Sequence, residues 1–70
     1  MERYSVASSN VASIGYDFPS ETLEVEFLNG SIYQYYNVPA NIFEQFRIEL
    51  SKGKFLNTYI KNFYPYSRVG

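Results

Sequence analysis

Four cations, Lys52, Lys54, Lys61 and Arg68, fall in the last twenty residues of a 70-residue chain, and no acid accompanies them there. Ser51, Asn57 and Thr58 lie among them, and Tyr59, Tyr64 and Tyr66 follow closely. Upstream, Tyr33 and Tyr35 form a Tyr-x-Tyr pair. Lysine and arginine meet phosphates, amides and hydroxyls bond sugar or phosphate oxygens, and tyrosine rings offer stacking faces to bases. The residue types are those of a nucleotide-type binding site. Backbone N–H groups at Ser51-Lys52-Gly53-Lys54, ahead of a predicted helix, add a further place where an anion could rest. The alternative for Tyr33 and Tyr35 is packing in a small sheet, and for a Lys-Gly sequence an ordinary helix boundary.

Catalytic chemistry has little to work with. The chain has no His and no Cys. Ser8, Ser9 and Ser51 therefore have no imidazole to activate them, and thiolate or imidazole metal sites are excluded. A Ser51-Lys52 pair cannot face itself from adjacent helical positions. Asp17 is the single aspartate, so no Asp-rich cation loop exists. Glu24 and Glu26 share one strand face, which reads as solvated and protective of an edge. The expectation is a non-enzymatic domain without a cofactor.

These groups need a scaffold. Leu23, Val25 and Phe27 alternate with Glu24 and Glu26, a half-buried strand. Asn29-Gly30 is a strong hairpin turn signal, and Ser31–Tyr36 is the return strand. Two registers are open. A two-residue loop pairs Leu28 with Ser31 and puts Ile32, Gln34 and Tyr36 on the apolar face. A three-residue loop pairs Phe27 with Ser31 and puts Tyr33 and Tyr35 there instead. The second is preferred because it keeps Gln34 out of the core. Val11–Tyr16 is a weaker strand, and residues 5–10 read as a polar loop or a very short edge strand.

Pro39 suits the first position of a helix, on which Ile42, Phe43, Phe46 and Leu50 form one stripe. Gly53 reads as its left-handed cap. A second helix is predicted from Lys54 to about Asn62, burying Phe55, Leu56, Tyr59, Ile60 and Phe63. Pro65 stops it. Lys54, Asn57 and Lys61 then share one exposed face. The fold class is α+β: a small antiparallel β-meander of about three strands packed against two C-terminal helices, with residues 1–70 as a single domain.

Chains this small bury only about 60% of their unfolded surface and usually need a staple. With no cysteines, the support must come from eight Tyr and six Phe, or from a second copy. Self-association, with a dimer favoured, is expected. The N-terminus does not read as a signal peptide, no stretch is long enough for a membrane span, and the missing cysteines suit a reducing compartment, so a cytoplasmic location is expected. Net charge is −1, with two bases against seven acids in residues 1–50 and four bases in residues 51–70. This disfavours a general polyanion binder and implies a local electropositive region.

The order Ser8-Ser9-Asn10, Ile14-Gly15-Tyr16-Asp17, Leu23-x-Val25-x-Phe27, Gly30, Tyr33-Gln34-Tyr35, Val38-Pro39, Ser51-Lys52-Gly53-Lys54-Phe55 and Asn57, with Ile60 and Tyr64, resembles the KTSC domain family. The resemblance covers roughly residues 5–68. A departure is Glu49-Leu50, where a small residue would be expected before the Ser-Lys-Gly turn. The family occurs at the C-terminus of some lysyl-tRNA synthetases and as single-domain bacterial proteins. The resemblance implies a β-meander with helices and an RNA-binding role. The expected site is Tyr33, Tyr35, Ser51, Lys52, Lys54, Asn57, Lys61 and Arg68, with RNA or tRNA as the leading ligand. The alternatives are sequestration of a small cyclic nucleotide by a phage-type protein, and a protein-interaction or host-factor-inhibitor role.

Overall fold

In the computed structural model, which describes residues 1–70, five antiparallel strands lie in sequence order. They are β1 (Tyr4–Ser5), β2 (Val11–Asp17), β3 (Thr22–Phe27), β4 (Ile32–Tyr35) and β5 (Tyr66–Arg68). Between β4 and β5 the chain forms α1 (Ala40–Ile48), the single turn α2 (Lys52–Phe55) and a π-helical continuation, Leu56–Ile60. No helix is long and apolar enough to cross a membrane. The sheet has two more strands than the sequence pattern predicts. Both are edges of two or three residues, too short for alternation to show.

The three-residue register is the one formed. Val25 pairs with Tyr33 and Leu23 with Tyr35, Phe27 N–H donates to Ser31 O at 2.8 Å, and Gly30 sits at φ 92°, where a Cβ would be strained. A bulge in β2 between Val11 and Ser13 sets the other side of the core. Three residues apart, Val11 and Ile14 would face opposite ways in a regular strand. The extra residue brings both fully under cover.

The front face of the sheet carries Ile14, Leu23, Val25 and Tyr35 into the core, against Phe43 and Phe46 of α1 and Phe55, Leu56 and Ile60 beyond it. Tyr16 ties α1 to β2: its ring stacks on Phe43 at 4.6 Å, and its hydroxyl donates to Val38 O at 2.5 Å. The predicted stripe on α1 is corrected at one end. The helix stops at Ile48 and Glu49 turns extended, so Leu50 leaves the stripe and is 93% exposed. The second predicted helix also changes. After one α turn the Lys61 N–H reaches Leu56 O, five residues back, at 2.8 Å. Phe55, Leu56 and Ile60 are buried as expected, but Tyr59 and Phe63 are exposed.

Gly53 is not a left-handed cap, because it lies inside α2. Its need is spatial: a Cβ there would stand 2.5 Å from Asn10 Nδ2. The C-terminus of α1 is capped instead by Lys52, whose Nζ donates to the carbonyls of Arg47 and Glu49.

The back face of the sheet is polar and self-paired. Arg3 bonds Ser13 and Glu24, Ser13 donates to Glu26, Gln34 Nε2 donates to Glu24 Oε1 at 2.8 Å, and Tyr36 meets Gln34 and Ser67. Glu24 is thus only 7% exposed rather than solvated. Burial opposes its ionisation, but the hydrogen bonds from Gln34 and Arg3 and the charge of Arg3 prevail, holding its carboxyl below the usual range.

Candidate functional site

Tyr33, Tyr35 and Tyr66 gather where β4 and β5 meet. Register makes them neighbours, since Tyr35 pairs with Tyr66 and Tyr33 with Arg68, and paired residues share a face. Ring centroids are 6.5 Å apart for Tyr33–Tyr35, 5.9 Å for Tyr33–Tyr66 and 5.8 Å for Tyr35–Tyr66. Phe27 closes one side, edge-on to Tyr33 at 5.8 Å. Opposite stands the helical segment, presenting Gly53, Leu56, Asn57 and Lys61, while Asn10 arrives from the loop before β2. Together these walls enclose a cleft of about 340 Å³.

The three tyrosines contribute differently. Tyr66 is 56% exposed and offers a ring face, whereas Tyr35 is 4% exposed and forms the floor. The expectation of Tyr35 as a free stacking face is therefore replaced by a role for its hydroxyl. That hydroxyl makes no bond within the protein, yet it is not sealed away, and Tyr35 lines the cleft. Burial, with the neighbouring Tyr33 and Tyr66 adding, pushes it up to about 12. It is therefore a neutral donor at any physiological pH.

A second hollow, about 470 Å³, adjoins the first, sharing Asn10, Gly53 and Asn57 with it. Its walls include Ser8, Ser9, Ser51, Lys54 and Thr58, and Leu50 is its one apolar side chain. The Ser8 hydroxyl accepts the Val11 N–H at 3.2 Å and shapes the loop that presents Asn10. No acidic residue lines either hollow, and no group of acidic side chains is arranged to hold a metal ion.

The eight residues expected at a site are thus distributed. Tyr33, Tyr35, Asn57 and Lys61 share the tyrosine cleft. Ser51, Lys54 and Asn57 share the polar hollow, with Lys52 also on its wall. Lys54 and Lys61 do not act on one cleft; Asn57 is the link between them. Lys52 is 7% exposed, its ammonium held by carbonyls, so it is a cap rather than a free cation. Arg68 lines neither hollow and donates to Gly70 O at 2.7 Å. In the sequence, Asn10 and Phe27 read only as parts of the Ser8-Ser9-Asn10 element and of the apolar strand face, not as walls of a site. Tyr66, read as a stacking ring in a Tyr-rich tail, is placed beside Tyr33 and Tyr35 only by β5.

The KTSC domain family matches this chain over residues 7–64. The chain belongs to the KTSC domain family. A solved KTSC domain protein from Yersinia pestis superposes with a TM-score of 0.92 at 37% identity, covering 99% of this chain and 97% of that one. An uncharacterized protein of Stutzerimonas stutzeri is 36% identical over 70 residues, 99% of either chain. The lysine–tRNA ligase of Nostoc punctiforme is 31% identical over 61 residues, which are 87% of this chain and 11% of the ligase. The KTSC domain thus occurs both as a protein of this length and as roughly a tenth of a ligase.

Proposed function

We propose that this KTSC domain is a binding module for a nucleotide-type ligand, with a single-stranded stretch of RNA as its leading form. One observation carries the reading. Tyr33 and Tyr66 rings, the Tyr35 hydroxyl, the Asn57 amide and the Lys61 ammonium converge on one cleft from which every acid of the chain is absent. A base stacks on Tyr66, the Tyr35 hydroxyl and amides meet its edge, and lysine meets the backbone. Lysine–tRNA ligase relatives that carry a matching segment support RNA as the polymer. A chain without His or Cys supports binding over catalysis. A second reading, capture of one small or cyclic nucleotide, is favoured by the size of the cleft, about 340 Å³, near the lower end of small-molecule pockets.

Titration of tRNA and single-stranded RNA against the protein at two salt concentrations tests the first reading. Affinity falls as salt rises, because phosphate contacts release counterions. No binding at low salt contradicts the polymer form. A thermal-shift panel of mono-, di- and cyclic nucleotides tests the second, and a flat panel contradicts it.

A further inference from the structure

The two hollows differ in chemistry and touch at a narrow saddle. One has aromatic walls over Tyr35, a nine-tenths-buried residue whose hydroxyl stays open to the cleft and makes no bond within the protein. The other has Ser9, Ser51 and Thr58 hydroxyls beside the Lys54 ammonium, none of them bonded within the chain. Asn10 and Asn57 belong to both. The saddle exists because residue 53 is glycine: its missing Cβ is the space that the Asn10 amide fills, at 2.5–2.9 Å from where that Cβ would stand. The loop below is held in place, Asn10 O accepting the Leu28 N–H at 2.9 Å.

Resting on the nucleotide reading above, we infer that the hollows are two subsites of one site: the tyrosine cleft takes a base, and the hydroxyl-lined hollow takes the phosphate of the same nucleotide. Asn10 and Asn57 meet the ribose between them. Hydroxyls and an ammonium on walls that carry no acid of their own are the chemistry of a phosphate cradle; Glu49 lies outside it, lining an adjoining hollow with Ser51, Lys54 and Thr58. Aromatic faces beside an unbonded hydroxyl are the chemistry of a base pocket. Lys54, not Lys61, therefore carries phosphate recognition. Lys61 stands on the tyrosine side and meets the neighbouring backbone.

Calorimetric titration of the full chain with the four ribonucleosides, their 3′- and 5′-monophosphates, and inorganic phosphate tests this. A monophosphate should bind about tenfold or more tighter than its nucleoside, as expected of a charged hydrogen bond. Lys54→Ala should erase that increment and leave nucleoside affinity unchanged. Tyr66→Ala should weaken nucleoside and monophosphate by the same factor. The inference is overturned if the monophosphate gains nothing, if Lys54→Ala weakens nucleoside and monophosphate alike, or if Lys61→Ala alone erases the increment. In those cases the nucleotide reading itself survives on the nucleoside binding. If neither nucleosides, nucleotides nor RNA bind, that reading fails and the composite site with it.

Discussion

The front and back of the sheet use similar residues to opposite ends. Strand β4 shows this within four positions. Tyr33 and Tyr35 point forward, and Gln34 and the following Tyr36 point back. On the back, each polar group finds a partner: Tyr36 meets Gln34 and Ser67, Gln34 meets Glu24, and Glu24 meets Arg3. On the front, the Tyr35 hydroxyl makes no bond within the protein and stays open to the cleft, although the residue as a whole is only 4% exposed. A satisfied buried network stabilises and specifies a fold, whereas a hydroxyl open to solvent adds little to stability and remains free to bond a ligand. The back face uses its polar groups within the domain, and the front cleft leaves one open, as the proposed binding role requires.

That contrast breaks most severely if the shared core is removed. Phe46, fully buried under the front face, should cost about 3–5 kcal/mol as Phe46→Ala. In a domain this small, denaturant unfolding should show a largely unfolded chain. An equally stable variant would mean that α1 does not pack as described.

Glu24→Ala attacks the back face alone. It leaves Arg3 and Gln34 without their acceptor and should cost about 2–3 kcal/mol, with ligand binding preserved in the folded fraction. The pH profile sharpens the point. A carboxyl held below its ordinary value of 4.5 stabilises fully above that pH, and the contribution is lost as pH falls through the depressed folded value. Acid titration of stability should therefore steepen below about pH 4.5 in the parent and flatten in Glu24→Gln. An identical acid limb in both would remove Glu24 from the account.

Gly30→Val, at the tip joining β3 and β4, strains a residue at φ 92° and should cost about 1–3 kcal/mol, read as a lower denaturation midpoint. Nothing lies within 4 Å of the added Cβ, so the loss reports backbone conformation rather than a clash. An unchanged midpoint would place the turn elsewhere.

Legibility followed the length of each pattern. The hairpin and its register were readable because a buried glutamine decides between two alternatives, and the answer put Tyr33 and Tyr35 together on the front. The stripe Ile42, Phe43, Phe46 was readable from helical spacing, but nothing local announced that α1 would end before Leu50. Glu24 looked solvated because alternation identifies a face without saying what covers it. The covering residue, Arg3, is 21 positions away. Part of the cleft was visible as residue types: Tyr33, Tyr35, Asn57, Lys61 and Tyr66. The placement of Asn10 and Tyr66 was not, since one depends on the space above Gly53 and the other on a three-residue edge strand.

The smallest effect on stability and the sharpest on function should come from single hydroxyls of one strand. The central claim is tested most directly by measuring, for Tyr35→Phe and Tyr36→Phe, both the unfolding free energy and the affinity for single-stranded RNA. Tyr35→Phe removes a hydroxyl with no partner in the protein. Its stability should stay within about 0.5 kcal/mol of the parent, while affinity falls several-fold. Tyr36→Phe removes bonds to Gln34 and Ser67; it should lose about 1 kcal/mol of stability and keep its affinity. Equal affinity in both variants and the parent, or an affinity loss confined to Tyr36→Phe, would contradict the assignment of the front cleft as the binding site.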